Sequence, residues 1–404
     1  MKELIIKNFG PLDDVCLHLK RINLLIGPQS SGKSCILKIA SFCAWTEKMI
    51  ELYQDAEKYL GQQAIENNLI CFHHLQGYAN QESFFSFETD TMKFSFSFEN
   101  NTFDFKWKEG RWNYQRSKIA YILAERNVLS VVPNWYEVSF SNSNIRYFLA
   151  EWQNVRNYIK TKSLNILNTG VAYHYNEHLN ADKIILENAV EIDFQNASSG
   201  LQSVVPLCSM ISYVYQGVFN SAMSSLQSQK PNIKLILELQ ARHPQGKTGI
   251  QFPDKDFFVV DNAEIQKVLN SFMNYQHSDI YLEEPEENLF PETQVDLVNW
   301  IVRMQNTNKQ HSLFVATHSP YIMSAFNNLV QLGEVINEHP EKAAPISRIL
   351  PADCAVEFDQ LSAYSLTDGH VDDILDQDLR LISPSLLDTA SDKISEVFSQ
   401  LLEI

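Results

Sequence analysis

Two short aliphatic runs near the amino terminus predict buried β-strands. They are residues 2–7 and residues 22–26. Runs of this length that are bounded by polar or turn-forming residues are typical of strands. The second run leads into a glycine-bounded loop and then into an apolar segment, which we expect to form a helix from Ser34. This order of strand, loop and helix predicts a β-loop-α unit.

Aromatic and polar residues alternate further along the chain. The aromatic positions are Phe94, Phe96, Phe98, Phe103, Phe105 and Trp107. Alternation with a period of two is typical of a strand with one buried face, and residues 99–102 separate the two runs. The segment therefore predicts an antiparallel hairpin.

Two segments carry helical patterns. Residues 143–180 place apolar side chains at helical spacing, among them Phe148, Trp152 and Val155. The apolar stretch from Val204 to Phe219 predicts a buried helix. Neither pattern repeats over enough heptads to predict a long coiled coil.

Two further strands are expected near the middle and the end of the chain. They are residues 279–282 and residues 313–316, and each ends in polar residues. Between the predicted helices and these strands, residues 216–260 are mixed in character and rich in Gln and Ser at first. We interpret that stretch as an insertion.

The composition is that of a folded globular protein with an acidic excess. Hydrophobic residues make up 45% and charged residues 20% of the 404 residues, and the formal net charge is −17. Such an acidic body excludes a general binder of nucleic-acid backbones. The charge is uneven, because residues 351–404 hold twelve acidic and two basic residues, whereas residues 106–162 hold ten basic and four acidic ones. The simplest interpretation of both stretches is a solvated face.

Cysteine spacing and hydropathy indicate the compartment. The six cysteines form no C-x-x-C pair, so neither a zinc site nor a disulfide framework is predicted. No signal-peptide core and no run of about 18 apolar residues is present. We therefore expect a cytoplasmic protein with no membrane association.

The loop after the second strand matches the phosphate-binding pattern G-x-x-x-x-G-K-[ST]. The predicted nucleotide-binding residues there are Gly27, Pro28, Gln29, Ser30, Ser31, Gly32, Lys33, Ser34 and Cys35. Backbone N–H groups of such a loop surround phosphates, the lysine bridges the β- and γ-phosphates, and the serine hydroxyl reaches Mg²⁺. The sequence therefore predicts ATP as ligand and Mg²⁺ as cofactor, with Lys33 also catalytic.

Acidic residues and a histidine end the two later strands. Glu283 is expected to hold the metal, and Glu284 to polarise the attacking water. His318 follows the next strand, where its imidazole could bind the γ-phosphate. The simpler alternatives are a solvated acidic turn for the pair of glutamates and a structural role for the histidine.

With these motifs the chain resembles the ATP-binding-cassette (ABC) class of P-loop ATPases, in its SMC, RecF and OLD-like branch. The resemblance is carried by IKNFGPL, GPQSSGKS, NASSGLQS, IYLEEPEENLFP and VATHSP, in that order. It implies that Ser198, Ser199 and Gly200 touch the nucleotide bound by the opposite subunit. It also implies that residues 288–291 form a loop that lies across the dimer interface. The segment YILAER implies that Arg126 lies near the nucleotide or the dimer seam. Two departures are A-S-S-G-L-Q in place of L-S-G-G-Q, and Glu283 where aspartate is usual.

The resemblance also implies an architecture. We expect an α/β fold, an ABC-type P-loop ATPase with a mixed central sheet, an antiparallel β-subdomain and a helical insertion. The expected divisions are an amino-terminal ATPase lobe (1–50), the antiparallel subdomain with the helical insertion (51–190), a lobe with the signature and the later strands (191–350), and an acidic αβ extension (351–404).

Two functions remain open from the sequence. One is an ATPase that forms a homodimer on ATP and controls a separate effector protein, such as a nuclease or toxin, as in the anti-phage systems of the Septu and PARIS types that it resembles. The alternative is a RecF/SMC-like repair ATPase that binds DNA through residues 106–162. In that case Arg156 and Lys160 share a helical face that contacts DNA, and Trp107, Trp112 and Trp135 stack on bases. The simpler alternative is that these three tryptophans lie in the core.

Overall fold

The computed structural model describes residues 2–132, 134–160, 162–219 and 263–383, together with residues 397, 399 and 400. The strands are β1 (Lys2–Phe9), β2 (Leu12–Leu19), β3 (Ile22–Ile26), β4 (Ala79–Glu88), β5 (Met92–Ser97), β6 (Thr102–Trp107), β7 (Ser117–Ile122), β8 (Leu164–Ile166), β9 (Val171–Asn176), β10 (Ala181–Ile185), β11 (Glu191–Asp193), β12 (His277–Glu283), β13 (Ser312–Thr317), β14 (Leu361–Thr367), β15 (His370–Asp373), β16 (Leu375–Asp376) and β17 (Leu381–Ile382).

Helices connect these strands. They are α1 (Lys33–Tyr53), α2 (Ala56–Leu60), α3 (Gln62–Ile65), α4 (Val128–Val131), α5 (Asn144–Ile159), α6 (Ser199–Tyr215), α7 (Ala263–Met273), α8 (Pro291–Gln305), α9 (Pro320–Glu338) and α10 (Ala343–Ile346). None of the helices in the described ranges combines the length and the apolarity that crossing a membrane requires.

One mixed sheet of eleven strands organises the fold. Its order is β6, β5, β4, β1, β2, β15, β14, β3, β13, β12 and β7. The five strands from β14 to β7 run parallel to one another. Because the carboxyl ends of parallel strands meet at one edge, the segments that follow β3, β12 and β13 lie side by side there. The predicted α/β class with a mixed central sheet is confirmed.

Two long helices cover the parallel strands. Helix α1 packs against β7, β12 and β13, and α6 packs against β7 and β12. Successive side chains of a strand point to opposite faces. Ser278 of β12 donates its hydroxyl to the carbonyl oxygen of Val214 in α6 at 2.7 Å, whereas Tyr281 lines a cavity together with Ala44 of α1. Glu283, two residues after Tyr281, therefore lies on the face that α1 covers.

The antiparallel part of the sheet confirms the aromatic hairpin. Phe94 lies opposite Phe105 and Phe96 opposite Phe103 in the pairing of β5 with β6. Phe94 and Phe96 are buried. Strands β1, β2 and β4 continue the antiparallel pairing toward the sheet centre.

The apolar stretch before residue 219 is a buried helix, as predicted. Helix α6 starts at Ser199, is buried from Ser203 to Tyr215, and contains Pro206. A helix that is apolar on all sides is typical of a core position. The predicted insertion lies outside the described residues from residue 220 onward.

The helical prediction for the whole of residues 143–180 is wrong. Helix α5 ends at Ile159, and β8 and β9 follow in a separate antiparallel sheet of order β11, β10, β9, β8. Tyr173 and Tyr175 are buried on one face of β9. Residues at i and i+2 share the face of a strand, and here this alternation decides the structure over helical spacing.

The acidic end of the chain contributes to the main sheet. Strand β14 pairs with β3 in parallel and with β15 in antiparallel orientation, so residues 361–367 occupy an interior position of the sheet. Two of the acidic residues in this region form ion pairs: Asp353 with Arg303 at 3.3 Å, and Asp359 with Arg380 at 3.2 Å.

Candidate functional site

The loop between β3 and α1 wraps the amino terminus of the helix. Gly32, the residue before the first turn of α1, has a φ of 105°, which glycine adopts without strain. A Cβ atom at Gly27 would lie 2.5 Å from the carbonyl oxygen of Leu366 in β14, so the backbone passes too close for a side chain. The loop therefore brings its backbone to the end of α1 where N–H groups and the helix dipole favour an anion.

Lys33, the first residue of α1, directs its ammonium into this loop. Its Nζ atom donates to the first two carbonyl oxygens of the loop, each at 2.8 Å, and lies 3.2 Å from Nδ1 of His318. Burial lowers the pKa of Lys33 to about 8, and the carboxylates of Glu284 and Glu286 oppose that shift. A buried ammonium that is held only by neutral oxygens and an imidazole is well placed to bind an anion.

The other predicted phosphate-binding residues differ in exposure. Pro28, Gln29 and Ser30 are exposed, Ser31 and Ser34 are half-buried, and Cys35 is 4% exposed. Burial raises the pKa of the Cys35 thiol to about 12, so the thiol is neutral and belongs to the core. Any contact of Cys35 with a ligand would therefore come from its backbone.

Glu283 ends β12 as a buried carboxylate with two hydrogen-bond donors. The Tyr121 hydroxyl donates to its Oε1 atom at 2.7 Å, and the backbone N–H of Ala124 donates to Oε2 at 3.3 Å. Burial, together with Glu283, raises the pKa of Tyr121 well above its usual value, so the phenol stays protonated. Hydrogen bonds of this kind orient carboxylates that ligate metals.

Glu284 and His318 follow neighbouring parallel strands and meet at the sheet edge. The Oε1 atom of Glu284 lies 3.3 Å from Nε2 of His318. Glu284 has a φ of 41°, a left-handed conformation that costs about 1–3 kcal/mol for such a residue. Its backbone N–H donates to the carbonyl oxygen of Ala316 at 2.9 Å. Glu284, His318 and Lys33 therefore form one continuous series of polar contacts.

Arg126 lies in the interior and contacts the acidic turn, residues 283–287, at the end of β12. Its fully buried guanidinium donates to the carbonyl oxygens of Glu283 at 3.1 Å, Glu284 at 2.8 Å and Ser203 at 3.1 Å. The carboxylate of Glu287 lies 3.7 Å away. The sequence placed Arg126 near the nucleotide or the dimer seam. The structure shows that its guanidinium binds backbone carbonyls in the interior and links the turn after β12 to α6.

Residues 198–200, the turn within NASSGLQS, lie at the surface where α6 begins. Ser198 and Ser199 are exposed, and the Ser198 side chain forms no capping hydrogen bond. Asn288 packs against this turn, since it donates to the Ser203 hydroxyl at 3.0 Å and its carbonyl oxygen lies 3.1 Å from the Cβ position of Gly200. Within the described part of the chain, no hydrogen bond joins this turn to the candidate phosphate loop, residues 27–34.

Sequence reasoning missed two polar side chains of this site. The backbone N–H of His318 donates to Oε1 of Glu286 at 2.6 Å. The Oε2 atom of Glu286 is buried and has no hydrogen-bond partner within the described ranges. Glu286 belongs to the acidic run that follows the predicted strand, and its position in that run could have identified it as a site residue. Tyr121 offered none, because its partner Glu283 is 162 residues away in the chain.

The basic segment proposed for DNA binding is partly internal. Arg156 is buried and forms a 2.6 Å ion pair with Asp182, and Trp135 is 7% exposed. Lys160 lies 3.4 Å from Glu177. Of the predicted DNA contacts, Arg156 and Trp135 therefore belong to the core, whereas Lys160 is exposed and Trp107 and Trp112 are half-buried.

Comparison with known proteins gives a loose structural likeness. No family model and no curated protein matches the sequence. The SMC head domain from Thermotoga maritima is similar over 92% of this chain and 97% of its own length, at 9% identity and a TM-score of 0.37. An Smc head domain bound to the C-terminal domain of ScpA, derived from Pyrococcus furiosus, is similar over 93% of this chain and 96% of its own length, at 8% identity and a TM-score of 0.35.

The recombination mediator protein RecF of the RecFOR pathway is similar over 92% of this chain and 97% of its own, at 9% identity and a TM-score of 0.33. Each of these TM-scores lies below 0.5, so nothing about the activity of this chain follows from the likeness.

Proposed function

We propose that this chain is an ABC-type ATPase that binds and hydrolyses ATP with Mg²⁺. The observation that carries the proposal is the convergence of Lys33, Glu284 and His318 at the carboxyl edge of the parallel strands. These residues come from three separate segments. Lys33 begins α1 after the loop that follows β3, Glu284 directly follows β12, and His318 directly follows β13. A phosphate-binding loop next to a carboxylate and an imidazole is the arrangement that hydrolysis of a nucleoside triphosphate needs.

The phosphates of ATP would bind the loop, where the backbone N–H groups at the start of α1 and the Lys33 ammonium supply positive charge. The residues fit Mg²⁺, because Ser34 lies in the first turn of α1 and Glu283 lies on the face of β12 that α1 covers. Tyr121 and Ala124 orient the Glu283 carboxylate. When bound, Mg²⁺ would neutralise charge on the phosphate oxygens.

Glu284 would orient the attacking water and accept its proton. His318 holds the Glu284 carboxylate through Nε2 and approaches Lys33 through Nδ1. Arg126 and Ala316 hold the left-handed backbone of Glu284 from both of its peptide groups. The direction of the carboxylate is therefore set by the fold before substrate arrives, which lowers the cost of organising the transition state.

Calorimetric titration with Mg-ATP tests the ATPase proposal. We expect the wild-type protein to bind, and Lys33→Ala to bind at least about tenfold more weakly, because a charge-assisted contact to phosphate is lost. Lys58→Ala, at an exposed lysine, is the control and should bind as the wild type does. Equal affinity of a folded Lys33→Ala protein would contradict the proposal.

We infer further that ATP binding joins two copies of the chain. The exposed turn at Ser198 and Ser199 has no hydrogen bond to the phosphate loop of its own chain within the described residues, and Phe290 beside Asn288 is 70% exposed. An exposed turn that makes no hydrogen bond to the loop of its own chain is accessible to the same loop of a second copy. This arrangement supports a site that the turn of a second subunit completes.

We also propose that the dimer controls a separate effector in anti-phage defence. The order of the motifs, which resembles Septu and PARIS ATPases, and the acidic excess of residues 351–404, which would suit a basic partner, support this role. Affinity purification with ATP and with ADP tests it, with Glu284→Gln used to retain the ATP state. Recovery of one partner in only one nucleotide state is the expected result. Failure to recover a partner in either state would count against it.

A further inference from the structure

A cavity of about 380 Å³ lies between α1, the segment around residue 72, β7 and Tyr275. On α1 it begins at Ser41, eight residues and about 12 Å along the helix from Lys33. Its walls are largely aromatic: Phe42, Trp45, Phe72, Tyr121, Tyr147 and Tyr275. The cavity is therefore separate from the phosphate loop, and its size lies in the range of small-molecule sites.

Among the described residues, two basic side chains line this cavity, and no carboxylate does. Lys48 is 9% exposed, and its ammonium has no hydrogen bond or ion pair with any described residue. The ammonium lies over the ring of Tyr275, 5.9 Å from the ring centroid. The nearby carboxylate of Glu151 is already paired with Lys118 at 2.8 Å. A buried ammonium without an anion lowers the free energy of unfolding of the protein.

Arg116 is the second cation, and it also lacks an acidic partner among the described residues. It is 3% exposed and donates to the carbonyl oxygen of Met273 and, at 3.5 Å, to the hydroxyl of Tyr275. Its Nε atom is buried and has no hydrogen-bond partner in the described part of the chain. The positive charge of this guanidinium is therefore not neutralised within the described structure.

His73 adds an unused polar group to the same wall. The imidazole is 2% exposed, and its Nδ1 atom has no hydrogen-bond partner among the residues that the structure describes. Burial lowers the pKa of His73 to about 3, so the ring is neutral. Its centroid lies 5.4 Å from that of Tyr121, whose hydroxyl binds Glu283. The cavity wall is thus continuous with the residue that orients the candidate metal ligand.

We propose that this cavity binds a small organic anion that carries an aromatic ring. The aromatic walls would pack against the ring of the ligand, and Lys48 and Arg116 would pair with its acidic group. Both cations would then gain the counter-charge that the described residues do not supply. A ligand here would touch Tyr121, which donates to Glu283, and Ser41 of α1, the helix that begins at Lys33. The proposal does not rest on ATP hydrolysis.

Two fluorescent probes with the same rings test this proposal. Anilinonaphthalene sulfonate carries an acidic group, and phenylnaphthylamine has the same ring skeleton without it. With Mg-ATP in excess, we expect one sulfonate probe to bind per chain, at least about tenfold more tightly than the neutral probe. Lys48→Met should lose this preference and still bind the neutral probe, whereas Lys58→Met, at an exposed lysine, should keep it.

Three results would overturn the proposal. They are equal affinity for the two probes, an unchanged preference in Lys48→Met, and displacement of the sulfonate probe by Mg-ATP, which would place the probe in the phosphate loop. Retained binding of the neutral probe shows that the cavity of Lys48→Met is intact. Calorimetry with Mg-ATP on the same samples reports the phosphate loop separately, so failure of the ATPase proposal is distinguished from failure of this one.

Discussion

The Nε2 atom of His318 lies 3.3 Å from Oε1 of Glu284, across the ends of two neighbouring parallel strands. The other ring nitrogen of the same imidazole lies 3.2 Å from the ammonium of Lys33. One histidine thus connects the candidate general base with the lysine of the phosphate loop. Lys33 is assigned to phosphate binding and Glu284 to hydrolysis, so substitutions at these two residues are expected to affect different steps.

Glu284→Gln should bind ATP and hydrolyse it much more slowly. The amide oxygen can still contact His318, but it cannot take a proton from water. Loss of a general base typically lowers the rate by about 10²–10⁴. Phosphate release in single-turnover assays measures the effect, and Glu292→Gln, at an exposed position in α8, is the control. Unchanged turnover in Glu284→Gln would assign the catalytic role to another group.

Arg126→Met should destabilise the fold and slow hydrolysis together. The substitution removes the donor that four backbone carbonyl oxygens share and releases the strained backbone of Glu284. We expect the free energy of unfolding to fall by about 3–5 kcal/mol. Arg303→Met removes an exposed ion pair with Asp353 and should cost less than about 1 kcal/mol. Urea unfolding of both variants checks this, and equal losses would contradict the role of Arg126.

Two inactive variants should form an active site when mixed. Lys33→Ala disables the phosphate loop, and Gly200→Asp places a carboxylate on the exposed turn, where even a Cβ atom approaches Asn288 to 3.1 Å. If each site combines the loop of one subunit with the turn of the other, mixed dimers contain one intact site. An equimolar mixture should then recover about a quarter of the wild-type activity. No recovery after proven subunit exchange would show that one chain completes its own site.

The stability of the protein should rise with pH above neutrality because of Lys48. Burial lowers the pKa of Lys48 to about 7, and the cations Lys118 and Arg116 repel it. In the unfolded chain a lysine has a pKa of about 10.4, so between these values the unfolded state binds the additional proton. The free energy of unfolding therefore increases from about pH 7 to about pH 10, and below pH 7 this contribution is constant.

Urea unfolding at several pH values in that range measures the effect. Lys48→Met should remove the increase and should be more stable than the wild type near neutral pH, because no buried charge remains. Lys58→Met, at an exposed position, should keep the wild-type pH dependence. An equal slope in wild type and Lys48→Met would show that Lys48 does not titrate as described.

Features that depend on neighbours in the chain could be predicted from the sequence. The phosphate loop from Gly27 to Ser34, the strand that ends at Glu283 and the hairpin around Phe94 are all defined by local spacing and periodicity. His318 was identified in the same way, as the residue after a buried strand. These patterns reflect backbone geometry over a few residues, and that geometry is largely independent of the rest of the molecule.

Contacts between distant segments were decided only by the tertiary structure. The hydrogen bond from Tyr121 to Glu283, the burial of Arg126 beneath the acidic turn and the position of β14 beside β3 all join residues more than 70 positions apart. The end of α5 at Ile159 and the charge-rich cavity around Lys48 are of the same kind. No local pattern specifies such pairings, because they depend on which apolar faces pack together and on where buried polar groups find partners.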